Sequence, residues 1–170
     1  QCIGITSYGP DGNQVQHMEQ RYDAQGHMVY GRASWDDDGE MRGMTQVYNS
    51  AGRLEKTIND AGGTVIYTYD SEGKENRRDF CDAGGSLTGY MTREYGEGFE
   101  RCESYDANGA MTSYLIEYYD QQGRRVREEY YDADGTLKHY DTEIYDEDGD
   151  EIAWEHYDAD GNLTGRDVYN

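Results

Sequence analysis

The sequence predicts an all-β protein, an antiparallel β-meander or β-solenoid of about 13 short hairpin-linked strands made from Tyr-Asp-x-x-Gly repeats. Three observations predict it. An aromatic, an acid, two small or polar residues and a glycine recur along the chain, as in Tyr131-Asp132-Ala133-Asp134-Gly135. Asp-Gly or Asn-Gly closes many of these groups, a strong hairpin signal because glycine accepts positive φ and aspartate bonds back to the turn backbone. Between the groups there is no 3.6-residue apolar period of helical length.

The turns set the register. Their marker glycines are Gly12, Gly26, Gly39, Gly52, Gly62, Gly73, Gly84, Gly98, Gly109, Gly123, Gly135, Gly149 and Gly161. Four residues before them stand Tyr8, Tyr22, Trp35, Tyr48, Ile58, Tyr69, Phe80, Glu94, Tyr105, Tyr119, Tyr131, Tyr145 and Tyr157. Eleven of these thirteen are aromatic, although aromatics form only 13% of the chain, so the repeat governs the fold. The Gly98 turn is one residue short and moves its aromatic to Tyr95. From Gly84 onward long and short glycine spacings alternate, as an antiparallel meander allows, because successive turns lie on opposite rims. The unit is therefore two strands and two turns, and the whole of residues 1–170 reads as one repeat domain.

Residues 1–30 open with Ile3, Ile5 and Tyr8 and place the only proline, Pro10, in a turn, where its fixed φ is useful. Residues 31–66 carry Trp35, Met41, Met44, Val47, Leu54, Ile58, Val65 and Ile66. Residues 67–104 look irregular: Glu75-Asn76-Arg77-Arg78-Asp79 interrupts the apolar alternation and Gly84-Gly85 doubles a glycine, which predicts a bulge or kink. Residues 105–170 are the most regular, with Tyr114, Ile116 and Tyr118 on one face and Leu115 and Tyr119 on the other. Apolar residues two or three positions after the glycine, such as Met28, Leu54, Ile152 and Leu163, are the expected inward anchors.

Composition narrows the function. Leu, Ile, Val and Phe are scarce and the net charge is −21, a combination that ordinarily leaves a chain disordered. The 18 tyrosines recur in step with the turns, so a thin, partly wet core of stacked rings takes the place of an aliphatic one. The acidic balance argues against nucleic acid and anionic membrane surfaces as partners. No apolar run reaches the length of a membrane-spanning helix. The first residue is Gln1 rather than Met, which fits a removed leader or neighbouring sequence and fits equally well a chain simply cut at that point. Cys2, Cys81 and Cys102 include no C-x-x-C pair, and Cys81 and Cys102 fall on strands separated by one other, too far apart for a disulfide in a flat sheet.

The stretches Tyr67-Thr68-Tyr69-Asp70-Ser71-Glu72-Gly73, Tyr48 to Leu54 and Tyr157 to Thr164 resemble the YD repeats of bacterial Rhs and teneurin-like proteins. The resemblance covers nearly the whole chain through a short, degenerate motif. It implies a secreted or cell-surface location, because in that family the repeats form a long antiparallel sheet spiralling into a shell around a toxin domain. The chain departs from the family in its longer, alternating step, and 170 residues are few for a closed shell.

Two kinds of binding chemistry are legible in the repeats. Asp36 and Asp38, Asp132 and Asp134, Asp146 and Asp148, and Asp158 and Asp160 share the D-x-D-G core of an EF-hand loop, without the other acids that loop needs. They are either looser Ca²⁺ sites between neighbouring turns or solvated turns that keep the rims soluble. The tyrosines are either a platform for glycan rings or cross-strand ladders; their tie to every turn favours ladders. The ladder residues are Tyr22, Trp35, Tyr48, Tyr69, Tyr105, Tyr119, Tyr131, Tyr145 and Tyr157, turned by Gly26, Gly39, Gly52, Gly73, Gly109, Gly123, Gly135, Gly149 and Gly161. His17, His27, His139 and His156 occupy unrelated repeat positions with no nucleophile motif, so no enzyme is predicted. The expectation is a structural repeat module that self-associates through sheet edges or belongs to a larger repeat protein. A carbohydrate- or Ca²⁺-dependent adhesion module is the second reading.

Overall fold

A computed structural model describes residues 2–8, 14–34 and 42–169. Among these residues it contains no helix, and fourteen strands follow in order. They are β1 (Cys2–Tyr8), β2 (Gln14–Tyr22), β3 (Met28–Ser34), β4 (Arg42–Tyr48), β5 (Leu54–Asn59), β6 (Thr64–Tyr69) and β7 (Glu75–Cys81). Then come β8 (Leu87–Gly96), β9 (Phe99–Asp106), β10 (Met111–Tyr119), β11 (Arg125–Asp132), β12 (Leu137–Tyr145), β13 (Glu151–Asp158) and β14 (Leu163–Val168). The antiparallel meander read from the sequence is thus the observed fold. The chain divides into two compact units, Gln1–Thr88 and Gly89–Asn170. In the first, β1 to β7 pair antiparallel in chain order; in the second, the strands to β14 do the same.

One turn builds nearly all the reversals. It starts at Asp23, Asn49, Asn59, Asp70, Asp82, Asp106, Asp120, Asp132, Asp146 and Asp158. In each, the glycine three residues on donates its N–H to the first residue's carbonyl, and the first residue's N–H donates to the carbonyl four residues on. The glycine has positive φ, between 75° and 90°. This is a type I turn closed by a left-handed residue, the usual three-residue hairpin loop. The Asx side chain completes it: Asp106 Oδ1, for example, accepts from the amides of Asn108 and Ala110, each at 2.9 Å. Nine of the ten turns have the carboxylate or amide oxygen on the amide four residues on. The exception is Asp132, which meets Lys138 Nζ at 3.0 Å while Asp134 holds the Thr136 amide.

Beyond the turn most hairpins carry a second irregularity. The turn aromatic pairs with the residue two after the glycine, and the next residue is left over as a bulge, as in Tyr131↔Leu137 followed by Tyr130↔His139. The bulge expected near residues 75–79 is therefore general, occurring also beside Tyr22, Tyr48, Tyr105, Tyr119, Tyr145 and Tyr157. The apparent break at residues 75–79 is an ordinary strand in which Arg77 pairs with Asp79 at 2.7 Å and Arg78 with Glu75 at 2.6 Å. Where the bulged residue is threonine, its hydroxyl satisfies a carbonyl across the gap: Thr112 Oγ1 donates to Ser104 O and Thr164 Oγ1 to His156 O, both at 3.1 Å.

Two expectations are corrected. The Asp82 turn closes on Gly85, not Gly84, since it is Gly85 that has positive φ; this puts Cys81 rather than Phe80 in the aromatic slot. Leu163 and Ile152 are exposed rather than inward anchors: Ile152 is itself the residue left over between the pairs Tyr145↔Glu151 and Ile144↔Ala153, and Leu163 lies on β14, whose one neighbouring strand among the described residues is β13. Trp35, Gly39, Asp36 and Asp38 lie outside the described residues.

The interior is thin. Among the described residues the buried side chains are Ala33, Thr57, Cys102 and Ala153, and no large side chain is fully buried. Strand residues are half-buried on both faces, as in β11, so adhesion comes from neighbours across the strand gap rather than from a second layer. Cys81 and Cys102 are both thiols, the first half-buried and the second buried.

Gly123 isolates the turn's backbone requirement, since a methyl group there would meet no atom within 4 Å. Replacing Gly123 with alanine should cost about 1–2 kcal/mol through its left-handed conformation alone. Asparagine there should recover part of the loss. Denaturant melts of the two variants check this, and an alanine variant as stable as the parent would refute it.

Candidate functional site

The side chains that carry chemistry converge on two rows in the second unit. The first is a ring ladder. Tyr90 lies opposite Tyr105, Tyr114 opposite Tyr131 and Tyr140 opposite Tyr157. Each pair is stacked, with centroids 4.6, 4.5 and 4.8 Å apart and planes within 11°. Arginines close the other faces: Arg101 lies 4.1 Å over Tyr114 and Arg127 3.6 Å over Tyr140. Each turn tyrosine then donates its hydroxyl to a glutamate two residues back, Tyr105 to Glu103, Tyr131 to Glu129 and Tyr157 to Glu155, all at 2.6 Å. The same glutamates hold the arginines, Arg101 on Glu103 at 2.9 Å and Arg127 on Glu129 at 2.7 Å. Glu103 bonding raises the Tyr105 pKa; for Tyr131, burial and then Glu129 raise it strongly. These phenols are donors locked to carboxylates, not poised acids.

At the turns that follow even-numbered strands, in each unit taken by itself, the residue after the turn glycine covers the tyrosine of the next such turn. His27 stacks on Tyr48 at 4.5 Å, Arg53 lies 5.8 Å over Tyr69, and Arg124 4.7 Å over Tyr145. The hydroxyls again reach back: Tyr22 donates to Gln20 and Tyr48 to Gln46, each at 2.8 Å, Tyr119 to Glu117 at 3.2 Å and Tyr145 to Glu143 at 2.5 Å. Tyr69 departs from the pattern because Tyr67 holds the position two back; its hydroxyl donates to Leu54 O at 2.6 Å. Burial pushes Tyr119 and Tyr145 up to about 12 each.

The second row lies on the alternate side chains of the same strands. Glu100, Glu117, Glu128 and Asp141 are successive cross-strand partners, ending on His156. Like charges opposite each other repel, so the row needs cations among it. Arg125 supplies the centre. It bonds Glu117 at 2.7 Å, approaches Glu128 at 3.3 Å and grips the nearly buried Glu143, with its guanidinium 5.3 Å over Trp154. Arg93 pairs with Glu100. Burial holds the Glu128 carboxyl above its usual pKa, the expected response of an acid set among acids. His156 ends the row between Asp141, 2.8 Å from Nδ1, and Asp167, 3.1 Å from Nε2. Neutral imidazole can donate at only one nitrogen, so this geometry suits the imidazolium, and hydrogen bonds first to Asp141 and then to Asp167 raise its pKa above 6.5.

Of the turn tyrosines, Tyr105, Tyr131 and Tyr157 stack on a cross-strand tyrosine, and Tyr48 stacks on His27. Tyr69 and Tyr145 lie under arginines, and Tyr22 and Tyr119 are held through their hydroxyls, while the turn aspartates do not gather. Among the described residues no group of three or more His, Cys, Asp or Glu is placed to hold a metal ion. Asp146 and Asp158 spend Oδ1 on their own turn amides, Asp134 on Thr136, and Asp132 meets Lys138; Asp148 and Asp160 are exposed beside them. Cys102, Leu115, Tyr130 and His139 help line a cavity of about 140 Å³, small beside the roughly 300–1,000 Å³ of ordinary ligand pockets. The first unit has an apolar groove, floored by Gly31 and Ala33 and walled by Met18, Met28 and Met44. Among the described residues no helix is long and apolar enough to cross a membrane.

No family model matches the chain, and no curated relative matches it. Among solved structures it is similar to TcdB2-TccC3-Cdc42, with a TM-score of 0.46 and 12% identity over 94% of this chain and 10% of that one. TcdB2-TccC3 without its hypervariable C-terminal region gives 0.46 and 13% over 100% of this chain and 9% of that one. A porin-like protein from Bacteroides uniformis gives 0.47 and 12% over 91% and 86% of the two chains. The chain spans about a tenth of the length of the two TcdB2-TccC3 chains.

Several participants were not read from the sequence. Tyr90, Tyr114 and Tyr140 lie too far from the glycines to belong to the turn motif, yet they supply half of each stack. The glutamates were legible in principle, since Glu-x-Tyr-Asp recurs at Glu103, Glu117, Glu129, Glu143 and Glu155. His139 is stacked on Tyr130 at 4.2 Å.

Two predictions follow from the acid row. The His156 contribution to stability is fully present below about pH 6.5 and is lost as pH rises through its raised pKa. Melting temperature measured from pH 5 to 9 should therefore fall on the alkaline side, and His156→Gln should flatten that fall. Arg125→Met, which keeps the stem but leaves Glu117, Glu128 and Glu143 facing one another, should cost about 2 kcal/mol, below the 3–5 of a fully buried pair because the site is partly wet. Urea unfolding measures this, and a neutral result would mean the row needs no counter-ion.

Proposed function

We propose that the chain is a non-enzymatic extracellular structural module, a β-sheet segment of the Rhs-like kind that serves as scaffold and associates through its sheet edges. One observation carries the reading. The residue types that would do chemistry, Tyr, Glu, Arg and His, satisfy one another within the sheet, and they do so again at 26-residue steps, as at Arg101-Glu103-Tyr105 and Arg127-Glu129-Tyr131. A catalytic or binding constellation would be local, with groups left facing a cavity. His27, His139 and His156 instead serve three different structural contacts. The surface location is what the YD-repeat resemblance implies, and an excess of 36 acidic over 15 basic side chains keeps such a rim-rich sheet soluble.

The competing adhesion reading is decided by binding. Isothermal calorimetry with millimolar Ca²⁺ should give no saturable heat, and a glycan array should retain no sugar. Saturable binding of either kind would replace the scaffold with an adhesion module.

A further inference from the structure

We infer that Met18, Met28 and Met44 form a site for a soft monovalent cation, Cu⁺ or its analogue Ag⁺, held by three thioether sulfurs above Gly31 in the first unit. Such a site goes beyond the scaffold reading and stands apart from it.

The three side chains converge on one backbone position. Gly31 of β3 lies directly opposite Met44 of β4 on one side and Gln20 of β2 on the other. Met18 stands two residues before Gln20, and therefore on the same face and diagonal to Gly31. Directly opposed residues are roughly 4.5–5.5 Å apart and diagonal ones about 7–8 Å, spans that long side chains cross. The third sulfur is already in place, since a methyl group built on Gly31 would meet Met28 Sδ at 3.3 Å. The methionines wall a groove of about 380 Å³, within the roughly 300–1,000 Å³ of ordinary ligand sites.

Gly31 has no backbone reason to be glycine. It lies inside β3, it is not among the glycines with positive φ, and its pairs on both sides fall in unbroken register. Such a glycine often marks a position that a ligand approaches closely. The repeat does not demand these residues either. In the second unit the row that starts at the turn residue Asp132 runs to Ser113 and Ser104, both small and polar. The row from the turn residue Asn59 runs instead to Met44 and Gly31. Met44 is 45% exposed, so it fills no interior. The departure is local, as a binding site is and a repeated scaffold contact is not.

The donor set chooses the cation. Thioethers are soft donors that favour Cu⁺ over the hard Ca²⁺ and Mg²⁺. The amide oxygens beside the groove are otherwise engaged: Gln20 Oε1 accepts from the Tyr22 hydroxyl at 2.8 Å and Asn59 Oδ1 from the Gly63 amide at 2.9 Å. Among the described residues no carboxylate or imidazole lines the groove, and the bordering Arg32 holds its guanidinium on Glu19 at 3.0 Å. Low charge and high polarisability are what this site rewards. The net charge of −21 draws cations toward the chain as a whole.

Methionine-methyl ¹³C NMR of the full chain reads the site directly, even though the cysteine thiols, better soft donors, take up metal first. With the thiols saturated, one further equivalent of Ag⁺ should shift the Met18, Met28 and Met44 signals together and leave Met91 and Met111 in place. Cu⁺, kept reduced by ascorbate under nitrogen, should reach the same endpoint. Met28→Leu, which conserves volume and removes one sulfur, should weaken binding at least about tenfold with the melting temperature little changed. If that variant fails to fold, Met44→Leu at the exposed wall should weaken binding in the same direction. Three signals that shift independently, leucine variants that bind as tightly as the parent, or a Cu⁺ titration that leaves the signals unmoved would each overturn the proposal. None of these outcomes touches the scaffold reading, which fails instead on saturable Ca²⁺ or glycan binding.

Discussion

A tyrosine ring laid flat against the ring across the strand gap, with its hydroxyl fastened to a carboxylate upstream, is the contact on which this sheet depends. Each such pair contributes only about 0.5–1.5 kcal/mol beyond its area, and each arginine over a ring about as much. The contribution is small singly, but it recurs at the same place in successive repeats. That recurrence matters because among the described residues no large side chain is fully buried. The glutamate gives the stack direction. It holds the phenol of Tyr131 and the guanidinium of Arg127 at once, so ring, cation and anion constrain one another. The Asx turn keeps these parts in register by fixing where each strand reverses.

Much of this was legible in the sequence, for a physical reason. A type I turn closed by a left-handed residue admits few residue types, so Asp-x-x-Gly announces itself wherever it occurs. Gly135 and Gly149 could be placed from sequence because no other residue fits those backbone angles comfortably. The doubled glycine at 84–85 shows the limit, since composition does not say which of two adjacent glycines takes positive φ. The partners across the sheet were harder. Tyr114 meets Tyr131 only because a bulge after each turn adds one residue to the pairing count, and strict alternation from the glycine does not include that residue. Ile152 is itself such an added residue, and it is exposed. The acid row was hidden for another reason. Glu100, Glu117, Glu128 and Asp141 look like solvated strand residues one at a time, and only the register reveals them as neighbours.

The two rows use charge in opposite ways. On the ring side, each glutamate meets an arginine and a phenol, so its negative charge is answered locally; Glu129, despite burial, is held below the ordinary glutamate pKa by Tyr131, Arg127 and Tyr118. On the other side, Arg125 answers three acids, and burial drives Glu128 upward. A net charge of −21 is thus not spread evenly in its effects. Part of it tightens the sheet, and part strains against Arg125.

The Asx turns have a consequence for the molecule in acid. Amide hydrogen bonds, from Ala110 to Asp106 and from Arg124 to Asp120, and the Asn162 side chain on Asp158, hold these rim carboxyls below the ordinary aspartate value. The strand-face acid Glu128 moves the other way. As protons are added, Glu128 is discharged before the turn carboxyls of Asp106, Asp120 and Asp158, so in a mildly acidic medium these three hems keep their negative charge after that face position has lost its own.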